Sequence, residues 1–339
     1  MRRLLIPTLL LVATGAFLGM VYRYFWDPPS EATFANYLRS GAHAMSITAF
    51  AWAAHLYWNA RASLWLRRWP ILAEIALRAS VMTIAIAVAI TALQALLYGF
   101  VPRFWLRHEL PSLVVLSFAF AVLFGAIFEL TRLIGARTLL SVILGRYRHP
   151  TREDRALMFL DIAGSTAMAE TLGEVHAQEF LTRFFFDIDD VIVAHGGEVH
   201  AYVGDEVIVS WAVSKPVLDG DCLRLFYAIG DRIAERAGTY GRDFGMVPRF
   251  RAALHAGPLV MSECGVSRCQ IAYFGDTINV AARLQEHCKD VGRDFLVSAA
   301  LLQKMRARTP FKFTDLGLTP LRGHAQPVQV YAVDRGEAR

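Results

Sequence analysis

Cysteine is scarce in this 339-residue chain, and all of it, Cys222, Cys264, Cys269 and Cys288, lies in the carboxy-terminal part. No spacing among these four suits a zinc site, and they are too few for a disulfide scaffold. Cys264 and Cys269 flank Gly265-Val266-Ser267-Arg268, which reads as a hairpin. A cross-strand redox pair is one reading of them, and two free thiols is the plainer one. Internal repeats and low-complexity tracts are also missing. Charge is sparse, with 19% Asp, Glu, Lys and Arg, and the balance of 35 basic against 30 acidic residues leaves only +5. That small excess is largely arginine beside apolar runs, so it does not read as a nucleic-acid surface.

What the chain has in quantity is apolar residues, 55% of the total. They are concentrated before about residue 136. Four stretches there, 4–22, 41–60, 79–100 and 113–134, are each about 20 residues, enough for roughly 30 Å of hydrocarbon at 1.5 Å per residue. Orientation follows from arginine. Arg2, Arg3, Arg61, Arg67, Arg68, Arg132 and Arg137 fall on one side, and Arg23, Arg39, Arg103 and Arg107 on the other. The richer side is expected in the cytoplasm, with both termini, in a multi-pass protein of the inner or plasma membrane. Trp26, Trp58, Trp65, Trp69 and Trp105 sit near span ends, as an interfacial belt would. The first span also has the n-region and h-region of a signal peptide, but no small-x-small cleavage site follows it, so an uncleaved span is expected. His43, His55, Glu74 and Glu129 are the polar candidates within the spans.

A polar segment with Pro150 divides this part from the rest, giving a membrane domain at 1–136, a linker or stalk at 137–154 and a soluble domain at 155–339. The stalk, 138–148, is expected to be helical and to end before Pro150. Beyond it strand and helix alternate. Strands are expected at 157–160, on a hairpin around Asp205, at 250–255, 259–262 and 328–333, and helices at 166–195, 219–237 and 279–289. Two carboxylates stand at strand ends. Asp161 lies in Phe159-Leu160-Asp161-Ile162-Ala163-Gly164-Ser165-Thr166 and Asp205 in Gly204-Asp205-Glu206. Oxygen ligands placed this way suit hard divalent cations, a common device of phosphoryl and nucleotidyl transfer. Further on, Gly275-Asp276-Thr277-Ile278-Asn279-Val280-Ala281-Ala282-Arg283 puts Asn279 and Arg283 on one helix face, suited to charge on phosphate oxygens. Each motif alone has a bland reading: an aspartate capping a turn, a hairpin residue, a solvated helix charge. Glu206 and Asp276 read as structural, and His255 as a core histidine.

Taken in order, with His195-Gly196-Gly197 and Leu254-His255-Ala256-Gly257-Pro258 between them, these motifs resemble the catalytic domain of class III nucleotidyl cyclases over the whole soluble half. The apolar half reads as a four-span α-helical membrane bundle, and the resemblance implies that an α+β catalytic domain with a ferredoxin-like, palm-type core follows it. It implies two Mg²⁺ or Mn²⁺ ions on Asp161 and Asp205, with the Ile162 carbonyl assisting. Asn279 would orient the ribose and Arg283 would stabilise the transition state. The amides of Ala163, Gly164, Ser165 and Thr166 would cradle phosphate at a helix start, and Arg322 would be a basic triphosphate contact. It also implies a homodimer, because one copy of each motif makes two half-sites.

The chain departs from the family's pattern at the base pocket. Adenylate-forming members usually carry Lys and Asp or Thr, and guanylate-forming members Glu and Cys or Ser, where this chain has Ala201 and Ala272. Two methyl groups read no base edge, so selection falls to shape, backbone or neighbours such as His200, Tyr202 and Gln270. ATP remains the expected substrate, with GTP or loose base selection as the alternative. Two other classes stay open: a nucleotide-binding receptor without chemistry, against which the intact Asp161, Asp205, Asn279 and Arg283 argue, and a transporter whose soluble domain is regulatory.

Overall fold

A computed structural model describes residues 2–26, 33–61, 70–101, 103, 105–134, 141, 144–265, 270–306, 310–324 and 326–336. Arg67, Arg68, Trp65, Trp69, Arg137, Cys269 and residues 138–140, 142 and 143 of the expected stalk lie outside them. The chain forms two compact units, Met1–Leu140 and Ser141–Arg339.

The first unit has four long helices, α1 (Arg2–Trp26), α2 (Phe34–Arg61), α3 (Ile71–Tyr98) and α4 (Leu110–Ile134). Among the described residues three segments are long and apolar enough to cross a membrane, Thr8–Phe25, Ile71–Leu96 and Leu110–Thr131. Helix α2 forms where a span was expected and begins earlier, at Phe34, but its first turns carry Asn36, Arg39, Ser40 and His43 and leave it less apolar. Small residues let α1 and α2 approach closely. A Cβ on Gly19 would lie 2.8 Å from the Ser40 carbonyl oxygen, and the Ser40 hydroxyl donates to the Gly19 carbonyl at 2.9 Å. Glu74 and Glu129 are buried; Glu74 accepts from Arg78 one turn on, so Glu74 has a packing partner. Trp105, near the start of α4, is buried in a cluster with Ile86 and Ile90.

At the start of the second unit Ser141 is helical, and a turn is present from residue 144. Residues 144–147 are turns, and Tyr147 explains why: its ring is buried, 5% exposed, among Leu157, Phe159, Leu259 and Met261. Its hydroxyl donates to Glu153 at 3.0 Å and its carbonyl accepts from the Glu263 amide at 2.8 Å. The start of the second unit is thereby fastened to the sheet.

The sheet follows in the order β1 (Thr151–Ile162), α5 (Ser165–Leu172), α6 (Glu174–Ala194), β2 (Glu198–Val203), β3 (Glu206–Ala212), α7 (Lys215–Leu218), α8 (Asp221–Glu235), α9 (Ala237–Phe244), β4 (Phe250–Cys264), β5 (Gln270–Phe274), α10 (Asp276–Val291), β6 (Phe295–Ser298), α11 (Ala299–Lys304), β7 (Phe311–Thr319) and β8 (Val328–Arg335). Strand order is β2-β3-β1-β4-β6-β8-β7, with β5 on the far part of β4. The β1-α-β2-β3-α-β4 portion has the split ferredoxin-like arrangement expected.

Apolar residues cover both faces of β1, which is why its middle reads as an unbroken apolar run. Met158 and Leu160 meet Phe180, Phe184 and Ile188 of α6 and Leu223 and Ile229 of α8. Those three α6 residues recur at four-residue spacing, the core stripe of a helix. On the other face Leu157 and Phe159 meet Ala281 of α10, while Val280, Leu284 and Cys288 pack on Ala253 and Leu296. Burial pushes the thiols of Cys222 and Cys288 up to about 12, so neither is poised for reaction. Cys264 is a free thiol.

Two expected strands, 250–255 and 259–262, are one. Strand β4 runs unbroken through Pro258, because β6 pairs only Ala252–Leu254 and β5 only Val260–Cys264, leaving an edge where a missing amide costs nothing. Gly257 is fixed by closeness: a Cβ there would lie 2.6 Å from the Thr277 hydroxyl oxygen, which itself donates to the Pro258 carbonyl at 2.6 Å. We expect Gly257→Ala to destabilise the chain by about 1–3 kcal/mol through overpacking. Thermal unfolding of the solubilised full chain, followed by the fluorescence of buried Trp211, reads this. An unchanged midpoint would show that Thr277 yields freely.

Candidate active site

Three pieces of backbone bring the acidic residues together. Asp161 is the last residue but one of β1, opposite Glu206 of β3 on one side and Arg251 of β4 on the other. Asp205 and Gly204 form the two-residue turn between β2 and β3, since Val203 pairs with Glu206. The Ile162 amide donates to the Asp205 carbonyl at 3.4 Å, tying the end of β1 to that turn. The two carboxyls then meet. Burial, followed by the hydrogen bond and charge of Asp205, pushes Asp161 up to about 6, while Gln285 of α10 donates to its Oδ2 at 3.1 Å and opposes the shift. Glu206, half-buried beside both, is pushed up to about 7. Like charges this close favour protonation of one member of the pair unless a cation lies between them.

That chemistry fits a hard divalent cation. Among the described residues no group of three or more His, Cys, Asp and Glu side chains is arranged to hold an ion. The aspartate pair therefore leaves the other coordination positions to backbone oxygen, water and phosphate, as Mg²⁺ prefers.

Helix α5 starts beside this pair, behind Gly164. The Ala163 amide is already used, donating to the Arg249 carbonyl at 2.8 Å where β4 begins. The amides at this helix start are then those of Gly164, Ser165 and Thr166, which a helix start leaves without intrahelical partners.

Asn279 and Arg283 share the outward face of α10, as their spacing predicts. Arg283 Nη1 donates to both oxygens of Glu286 at 2.7 Å. This pair is solvent-facing, 40% and 60% exposed, and holds Arg283 only weakly. Gln285, which reaches Asp161, lies on the opposite side of the helix, about 160° from Arg283 and about 120° from Asn279 at 100° per residue. Within one chain the aspartate pair and the Asn–Arg face therefore look in different directions. Arg322 is exposed on the turn after β7. The turn is pinned to α10 twice: Leu321 is buried with Val280 and Leu284, and His324 Nε2 bonds Asp276 Oδ2 at 2.7 Å. Arg322 thus travels with Asn279 and Arg283.

The two alanines expected in the base pocket lie on different strands, Ala201 on β2 and Ala272 on β5. Ala201 packs with Ile271 and Tyr273 on the α10 face of the sheet, while Ala272 pairs with Ser262 in the β4–β5 ladder. Of their neighbours, Tyr202 packs on Phe185 with ring centroids 4.7 Å apart and Gln270 is exposed. His255 is the core histidine expected: it bonds Ser298 Oγ at 2.8 Å, and burial pushes it down to about 4. Sequence reasoning missed Gln285 and His324. Helical spacing from Arg283 puts Gln285 on the buried face; nothing in the sequence marks the partner of His324.

Comparison with known proteins now bears on this geometry. Residues 148–335 match the sequence model of the adenylate and guanylate cyclase catalytic domain, and the chain belongs to that family. It is 39% identical over 229 residues to adenylate cyclase 2 of Rhizobium meliloti (strain 1021), covering 67% of this chain and 63% of that one. With adenylate cyclase 1 of the same organism the identity is 30% over 189 residues, covering 54% and 28%. The chain thus spans less than two thirds of the length of these relatives. A bacterial light-regulated adenylyl cyclase shares the fold, with a TM-score of 0.54 and 20% identity over 65% of this chain and 66% of that one.

Proposed function

We propose that this protein is a membrane-anchored adenylate cyclase, converting ATP to 3′,5′-cyclic AMP and pyrophosphate at two sites shared between the protomers of a homodimer. The observation that carries the reading is the contact of Asp161 with Asp205 at the end of the sheet, in a chain of the cyclase family. Asp161, Asp205 and the Ile162 carbonyl would hold two Mg²⁺ or Mn²⁺ ions. Bound there, the ions supply Lewis acidity that favours the attacking 3′-alkoxide and offsets phosphate charge. The amides of Gly164, Ser165 and Thr166 and the Arg322 guanidinium hold the triphosphate. Asn279 orients the ribose so that its 3′-oxygen faces the α-phosphate, and Arg283 leaves Glu286 to meet the charge that develops on the α-phosphate oxygens. The opposed faces of α10 support the homodimer: a two-fold pair would set the Asn–Arg face of one chain against the aspartates of the other. The membrane unit raises the effective concentration of the two halves. We place the four helices across the inner or plasma membrane, with α2 as the least apolar span and the termini and catalytic domain in the cytoplasm.

The test is the solubilised full chain with Mn²⁺ and either ATP or GTP, with the cyclic product quantified. Cyclic AMP from ATP is expected, and absence of any cyclic product sinks the proposal. A second reading, loose selection between ATP and GTP, is favoured by the methyl groups at Ala201 and Ala272. On that reading, Ala201→Lys combined with Ala272→Asp raises the preference for ATP by about tenfold or more, since buried polar readers supply most base discrimination. An ATP-to-GTP ratio of kcat/KM that is already high in the unmodified chain, and does not move, shows that other groups read the base.

A further inference from the structure

Two aromatic rings flank the alanine positions and are stacked on each other. His200 of β2 precedes Ala201, and Tyr273 of β5 follows Ala272. Their ring centroids are 3.7 Å apart with planes 13° from parallel. The strands that carry them do not pair, as β3, β1 and β4 lie between, so the stack spans the sheet face. It is braced from below. The Tyr273 hydroxyl and the fully buried Ser210 Oγ are 3.0 Å apart. Arg155, 5% exposed, is held by Glu153 at 3.1 Å and Glu198 at 3.5 Å and sets its charge beside both rings. Burial and that charge push His200 down to about 4, so its imidazole is uncharged at neutral pH. Both rings are only half-buried. Tyr273 shares its packing cluster with Ala201 and with Ile278 and Ala282, the residues just before Asn279 and Arg283.

We infer that the His200–Tyr273 stack is a platform for the purine of the substrate, binding the base by its ring face where Ala201 and Ala272 provide no side-chain reading of its edge. The inference rests on the cyclase reading and deepens it. A π-face serves every purine, because stacking depends on the ring and not on its edge groups. The platform therefore supplies affinity and leaves discrimination to other groups. It belongs to the half-site of Asn279 and Arg283, since these share the cluster. Ser210 and Arg155 are positioning residues that keep the two rings parallel.

The experiment uses the solubilised full chain with Mn²⁺. Dissociation constants for ATP and GTP are measured by titration, with inorganic tripolyphosphate as a base-free competitor. His200→Ala and Tyr273→Leu are expected to weaken ATP and GTP together, by about tenfold each. Tyr273→Phe, which keeps the ring, stays within about twofold, and tripolyphosphate binding is unchanged in all three. Turnover of saturating ATP is kept within a few-fold, so KM moves and kcat does not. Unchanged nucleotide affinity in His200→Ala and Tyr273→Leu overturns the platform. Loss of affinity for one base alone also overturns it, since that is edge reading, and so does parallel loss of tripolyphosphate binding, which marks a structural role. If the unmodified chain binds both nucleotides and forms no cyclic product, the catalytic reading fails while the affinities still decide the platform.

Discussion

Asp161→Ala and Asp205→Ala are each expected to reduce cyclic nucleotide formation by about a thousandfold or more, even in excess Mn²⁺. Glu206 is the carboxyl nearest to both. Yet among the described residues no group of three or more His, Cys, Asp or Glu side chains is arranged to hold an ion, so Glu206 is not expected to replace either aspartate. The loss is expected without unfolding. Removing one of two carboxyls in contact relieves a repulsion, and Asp161→Ala costs otherwise the hydrogen bond from Gln285, worth about 1 kcal/mol. Cyclic AMP quantified by mass spectrometry, beside the thermal midpoint of each variant, checks both parts. Full activity of either variant in excess Mn²⁺ would remove the metal assignment.

The pieces of this site that come from one stretch of chain are legible in the sequence. The strand that ends at Asp161, the hairpin with Asp205 at its tip and the Asn–Arg spacing on α10 each follow from local periodicity and turn residues. Lengths are less legible. Strand β1 starts at Thr151, well before its apolar run, because β4 pairs with it along all twelve residues. The long helix expected at 166–195 is two, broken at Gly173, and α9 extends the region of the helix expected at 219–237. Strands β6 and β7 were not anticipated: β6 is four residues long and fully buried, too short to show a period. Contacts between distant segments are not legible at all. The bond from Gln285 to Asp161, the tie from His324 to Asp276 and the stack of His200 on Tyr273 each join residues far apart in sequence. Nothing local encodes them. Of the expected helical stalk, Ser141 is helical and residues 144–147 form a turn, where the Tyr147 ring is buried in the sheet.

The opposed faces of α10 make the shared site the point on which the mechanism turns, and complementation tests it directly. Arg283→Ala alone is expected to lose about a hundredfold to a thousandfold, as a transition-state donor does when removed, and Asp161→Ala alone is inactive. The two variants, co-expressed with different tags and purified through both, give heterodimers. In each heterodimer one site carries both lesions and the other carries neither, because the aspartates of one chain work with the Asn279 and Arg283 of its partner. Cyclic AMP formation per heterodimer should therefore return to about half that of the unmodified dimer. If heterodimers form and activity stays at the level of the single variants, Asp161 and Arg283 serve one site from one chain, and the shared-site mechanism is contradicted.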